Sequence, residues 1–195
     1  MTLILFNKPY GVVSQFSAHD GRPSLADFLD IPNVYPAGRL DADSEGLMLL
    51  TDDGTLQHDI SNPVSEKSKT YLVQTEGLAH PSQLAQLRAP MRLPHFTTLG
   101  SKAVRIEPPG WLWPRDPPIR QRRELPTDWL SITLTEGKNR QVRRMTAAVG
   151  LPTLRLVRQA IGPISLATHP LMPGEWCTIS ADEWRGTKRD TRRGA

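Results

Sequence analysis

The chain has 195 residues, 38% hydrophobic and 23% charged, with a formal net charge of +4, the profile of a folded globular protein and not of a disordered or fibrous one. Apolar runs such as 3–6 and 47–50 fall far short of the ~18 residues that span a bilayer, and the N-terminus lacks the regions of a signal peptide, so a cytoplasmic location without membrane contact is expected. The single cysteine, Cys177, admits no intramolecular disulfide, and the five scattered histidines offer no zinc-ligand spacing, so no structural metal is expected.

Eighteen prolines and fourteen glycines cut the chain into short elements, an α+β pattern with strands in the majority. Strands are predicted at 2–6 and 11–16. Ser24 with Asp27 three residues on resembles a capping box and opens a helix over Leu25–Leu29, with Leu25, Phe28 and Leu29 on one face. Strands at 47–51 and 70–76 follow, then a helix over Ser82–Arg88 with Leu84 and Leu87 inward, and a strand at 101–106. Residues 107–127 contain six prolines and form a long loop or hairpin tip, since proline removes ladder and helix donors. That loop combines Trp111 and Trp113 with Arg115, Arg120, Arg122 and Arg123, the pairing of stacking surface and phosphate contact that RNA binding uses; the alternative is that the tryptophans anchor the loop to the body.

After a strand at 129–135, a helix over 139–149 stops at Gly150 and Pro152. It sets Val142, Met145 and Val149 on one side and Arg140, Arg143 and Arg144 on the other. Between Lys138 and Arg158 lie six basic residues and no acid, which predicts a positive surface stripe. Strands at 154–158, 163–168 and 175–180 complete residues 1–184, and residues 185–195 read as a basic, disordered tail.

Charge is polarised along this order. Residues 1–76 hold five Lys/Arg against eleven Asp/Glu, residues 77–184 fourteen against eight, and residues 185–195 five against one. A basic second half suits a phosphate backbone and an acidic first half does not, so an acidic site beside a basic docking surface fits both.

The densest polar cluster runs from Gly38 to Gly54 and places Asp41, Asp43 and Glu45 within five residues. Mutual repulsion makes such a cluster costly unless it is solvated or paired with a cation. The spacing lacks the order of an EF-hand calcium loop. Asp41 and Asp43, at i and i+2, point the same way in an extended chain, as a paired-carboxylate glycosidase would need.

The stretch Gly38-Arg39-Leu40-Asp41-x-Asp43-Ser44-x-Gly46-Leu47-x-Leu49-Leu50-Thr51-x-Asp53-Gly54 resembles the signature of the RsuA/RluE-type ribosomal RNA pseudouridine synthases. Asn7-Lys8-Pro9-x-Gly11, Lys69-Thr70-Tyr71, Glu136-Gly137-Lys138-Asn139-Arg140-Gln141-Val142-Arg143-Arg144-Met145 and Leu156-Val157-Arg158-x-x-Ile161-Gly162 fall in the family's order. Most members of the group begin with an S4 RNA-binding domain; this sequence begins at the catalytic part, like the RluE branch, and it carries Arg140 where the family has His.

The resemblance implies a mixed, largely antiparallel sheet in two lobes around a central cleft, acting as a monomer on 23S ribosomal RNA, free or in a precursor, with no cofactor. It assigns catalysis to Asp41, Tyr71 and Arg143, with Tyr71 stacking on uracil and Arg143 pairing with Asp41. Leu156 would line the base pocket, Arg39 would serve the flipped nucleotide or its phosphates, and Lys138, Arg140 and Arg144 would contact RNA. A two-carboxylate glycoside or nucleoside hydrolase using Asp41 and Asp43, and a noncatalytic rRNA-binding assembly factor, remain as alternatives.

Overall fold

Uninterrupted apolar runs make strands that bury both faces, and the N-terminal lobe is built on two of them. The structure, a computed structural model, describes residues 2–17, 19–62, 65–119 and 125–186. In it β1 (Leu3–Lys8) and the strand that follows β2 (Tyr35–Pro36), β3 (Glu45–Thr51), are buried at every position. They pair antiparallel with Leu5 opposite Leu49. Successive side chains point to opposite faces, so Ile4, Phe6, Met48 and Leu50 enter one core, and Leu3, Leu5, Leu47 and Leu49 enter a second on the other side of the sheet.

The chain continues through α1 (Gly54–Ser61), β4 (Lys69–Glu76), α2 (Pro81–Arg88), a small hairpin of β5 (Arg92–Leu93) and β6 (Phe96–Thr97), β7 (Lys102–Ile106), β8 (Thr127–Leu134), α3 (Gln141–Ala148) and β9 (Thr153–Ile161). It closes with β10 (Ile164–Ser165), β11 (Trp176–Ile179) and α4 (Ala181–Arg185). Among the described residues the main sheet runs β11-β1-β3-β9-β4-β8-β7, with β2 beside β3 and β10 beside β9. Leu25, Leu87, Val142 and Met145 cover the first core; Ile60, Trp113 and Trp184 cover the second.

Two lobes result because one seam is short. β3 and β9 pair in parallel through only Glu45 opposite Val157 and Gly46 opposite Arg158, whereas β4 pairs along its whole length with β8 and β9 on either side. Gly46 has φ +105°, and a Cβ there would collide with the Arg158 backbone. Only glycine admits both the backbone angle and the approach.

The expected mixed, largely antiparallel α+β architecture is thus present, with local corrections. Residues 11–16 are not a strand: the Val13 amide bonds the Pro23 carbonyl and the Gln15 carbonyl accepts from Leu25, so their backbone partners are loops. The capping box of Ser24 and Asp27 exists, but it opens a single 3₁₀ turn, Leu25–Asp27. The strand predicted at 163–168 shrinks to β10, because Gly162 turns the chain at φ +53° and Leu166 bonds back to Gln159. The predicted positive stripe narrows to Lys138–Arg144, since Arg155 and Arg158 are 5% and 4% exposed. Of the basic tail, Arg185 ends α4 and residues 187–195 lie outside the described residues, as do Arg120, Arg122 and Arg123.

Candidate active site

Asp41 lies in a turn just before β3, where the Ser44 amide donates to its carbonyl at 3.0 Å. Three residues brace the turn and the strand after it. The Ser14 hydroxyl donates to the Leu40 carbonyl at 2.5 Å and accepts from the Leu40 amide at 3.0 Å. The Gly11 amide donates to the Ala42 carbonyl at 2.7 Å. Arg158 donates from Nε to the Leu47 carbonyl at 2.8 Å and from Nη1 to the Arg39 carbonyl at 3.2 Å. The five donors of its planar fork suit bracing two chain segments at once.

The turn borders a cleft of about 690 Å³. Tyr71, Leu134, Val142, Leu156 and Ile161 supply apolar lining; Arg39, Asp41, Lys138 and Arg140 supply charge. Six of the residues singled out in the sequence, Arg39, Asp41, Tyr71, Lys138, Arg140 and Leu156, therefore share one cleft. An apolar slot with a few convergent charges is the usual form of a small-molecule or base pocket. Arg143 and Arg144 are not part of this lining. Arg144 instead bonds the Asn139 side chain at 3.0 Å and lies 5.7 Å from the Phe96 ring centroid.

The charges pair differently from the expectation. Arg143 donates from Nη2 to the Asp43 backbone carbonyl at 2.6 Å, with Nε 3.5 Å from Asp43 Oδ2; it grips Asp43, not Asp41. The contact to Asp41 Oδ2 comes from Arg140 Nη1 at 3.7 Å, while the same guanidinium forks onto both oxygens of Asp43 at 3.1 and 2.7 Å. The cause is local. Arg140 is the residue before α3 and sits in the left-handed region at φ +49°, which takes it off the helical face it was predicted to share with Arg143. Burial raises the Asp43 pKa, but the Arg140 hydrogen bonds and the Arg143 charge outweigh it and hold the carboxyl below its usual value. Lys138 is answered by Glu136 at 2.9 Å.

Behind the turn, Glu45 and Arg155, 2% and 5% exposed, form a two-point ion pair at 2.8 and 2.9 Å, and Trp113 Nε1 donates to the same carboxylate at 2.9 Å. Such a pair survives burial only when its remaining lone pairs are satisfied. This corrects the reading of Trp113 as a base-stacking residue: it is 5% exposed and anchors the proline-rich loop, and Trp111 packs against the same core with its ring centroid 6.3 Å from that of Trp113. Lys8, fully buried, donates to the carbonyls of Pro9 and Val12 at 2.8 Å each. Burial pushes its pKa down to about 7, with Glu45 opposing and Arg158 adding to the shift.

Sequence reasoning gave no role to Ser14 or Lys8, counted Glu45 only in the acidic cluster, and counted Arg155 and Arg158 as surface charge. Lys8 and Arg158 also stand inside the quoted motifs.

Known proteins resemble this chain over most of its length. The family model described as RNA pseudouridylate synthase matches residues 2–148. The ribosomal large subunit pseudouridine synthase E of Vibrio vulnificus (strain CMCP6) is 52% identical over 178 residues, covering 91% of this chain and 75% of the relative. The protein of the same description from Xanthomonas campestris pv. campestris is 55% identical over 176 residues, covering 89% and 93%. Among solved structures, one described as a pseudouridylate synthase superposes with a TM-score of 0.75 at 29% identity, covering 94% of this chain and 72% of that one.

Proposed function

Because the chain belongs to the RNA pseudouridylate synthase family, we propose that it converts a uridine of 23S ribosomal RNA to pseudouridine in the cytoplasm, with Asp41 as the reacting carboxylate and no cofactor. The large-subunit target follows the names of relatives more than half identical to this chain.

The isomerisation breaks the N1–C1′ bond, forms a C5–C1′ bond, releases the C5 proton to water and leaves a proton on N1. Nothing is oxidised or reduced. One carboxylate placed beside the sugar and the base suffices as nucleophile or base. The cleft accommodates this division of labour: Tyr71 and Leu156 hold the extruded base, Asp41 faces it from the opposing turn, and Arg39, Lys138 and Arg140 receive the strand that surrounds it. Arg143 acts through Asp43, fixing the turn that carries Asp41.

The observation that carries the reading is the inequality of the two aspartates. The lowered pKa of Asp43 makes it unsuited to the general-acid role of a paired-carboxylate hydrolase, and with both oxygens occupied by Arg140 it is poorly placed as the nucleophile or base. Asp41, with its side chain 40% exposed, is left to react alone. Ribosomal RNA tritiated at uracil C5 tests this: release of label to water without free uracil, followed by mapping to one position, supports the proposal. Free uracil would establish a hydrolase, and RNA binding without label release would establish an assembly factor.

A further inference from the structure

Lys69, the first residue of β4, lines the same cleft as Tyr71 two positions on, opposite Ile161 in β9. Several neighbouring cations already have partners within the protein. Asp43 takes Arg140 and Arg143, Glu136 takes Lys138, and Arg158 spends its donors on the carbonyls of Leu47 and Arg39. Lys69, like Arg39, is not so paired: among the described residues its ammonium has no carboxylate partner and makes one hydrogen bond, to the Lys67 carbonyl at 3.2 Å. The charge that acts on it is Arg158, a second cation.

An ammonium has three donors, so two remain for a ligand. Burial and the Arg158 charge both lower its pKa; a half-buried cation beside another cation is an arrangement that an arriving anion relieves. The anion that the substrate brings is a phosphodiester, and residues i and i+2 of a strand lie about 6.6–6.8 Å apart on one face. That spacing sets Lys69 beside Tyr71 in the cleft, within a nucleotide's length of the base slot.

We propose that Lys69 is a phosphate-binding residue of the cleft, holding a phosphodiester of the RNA strand next to the target uridine. The inference rests on the RNA reading above.

The test compares wild type, Lys69→Met, Lys69→Gln and Lys69→Arg on one rRNA fragment that contains the mapped uridine, reading dissociation constant against salt concentration beside label release. The Met and Gln variants should bind more weakly and lower the slope of log affinity against log salt by about 0.7–0.9, the loss of one phosphate contact, while Lys69→Arg keeps the wild-type slope. An unchanged slope in either neutral variant, with its thermal midpoint retained, overturns the proposal. So does a slope unchanged while label release alone falls, which would move Lys69 to the chemical step. If wild type itself releases no label from any rRNA, the RNA-modification reading fails first and takes this inference with it.

Discussion

Gly46 and Arg158 meet across the two-pair parallel seam so closely that a Cβ on residue 46 would overlap the Arg158 carbonyl oxygen and lie 2.9 Å from its amide nitrogen. The seam joins the lobes, and the Arg158 side chain braces the Asp41 turn from the same place. Gly46→Ala should destabilise the fold by about 2–4 kcal/mol, combining positive-φ strain with a backbone overlap that no rotamer relieves. Urea unfolding measures it; a change below about 0.5 kcal/mol, the range of ordinary surface substitutions, would mean the lobes separate freely at this point.

The Arg143–Asp43 pairing makes a separable forecast. In a double-mutant cycle of Arg143→Met with Asp43→Asn, which leaves the Asp43 carbonyl in place and reads the side-chain contact alone, the stability coupling should reach about 0.5 kcal/mol or more. The cycle of Arg143→Met with Asp41→Asn should give less. The reverse order would restore Arg143 as the direct partner of Asp41.

Trp113 should behave as an anchor. Trp113→Phe keeps most of the packing and deletes the hydrogen bond to Glu45, leaving a buried carboxylate one donor short, at a cost of about 1–3 kcal/mol. RNA affinity of the folded variant should stay at the wild-type value, whereas loss of affinity without loss of stability would return Trp113 to the RNA surface.

How far the sequence revealed this arrangement differs by element. The strands β1, β3, β4 and β8 were legible because their apolar runs or alternation dominate, and the Gly38–Gly54 motif located the turn that holds Asp41. Helix α1 was missed because it buries only Ile60 and opens at a glycine; the Asp53 cap, which accepts from Thr55 and Leu56, was its one sign. Where an arginine lies differently from its expected face, the reason is physical. Periodicity places a side chain on a face, but partners such as Glu45 for Arg155, 110 positions apart, and the left-handed Arg140 are set by tertiary packing that periodicity does not encode.

Lys8 carries a pH dependence whose sign is fixed. Its folded pKa of about 7 lies below the ordinary 10.5, so between those values the unfolded chain binds more protons and stability rises with pH, by at most about 1.4 kcal/mol per unit from this group. Below pH 7 its contribution is constant. The stability difference between wild type and Lys8→Met should therefore increase from pH 7 to pH 10, and NMR of labelled lysine should show the Lys8 side chain titrating near 7. A Lys8 midpoint above 10 would contradict the burial argument.

The most direct measurement is C5 tritium release from rRNA by wild type, Asp41→Asn and Asp43→Asn side by side. Asp41→Asn keeps size and most hydrogen bonding while removing the reacting charge, so it should fold, bind RNA at least as well as wild type, and release no label. Asp43→Asn should slow release by about 10- to 100-fold, the kinetic equivalent of the ~1.5–3 kcal/mol carried by hydrogen bonds to a charged group, and still turn over. Robust release by Asp41→Asn would contradict the assignment of the chemistry to that carboxylate.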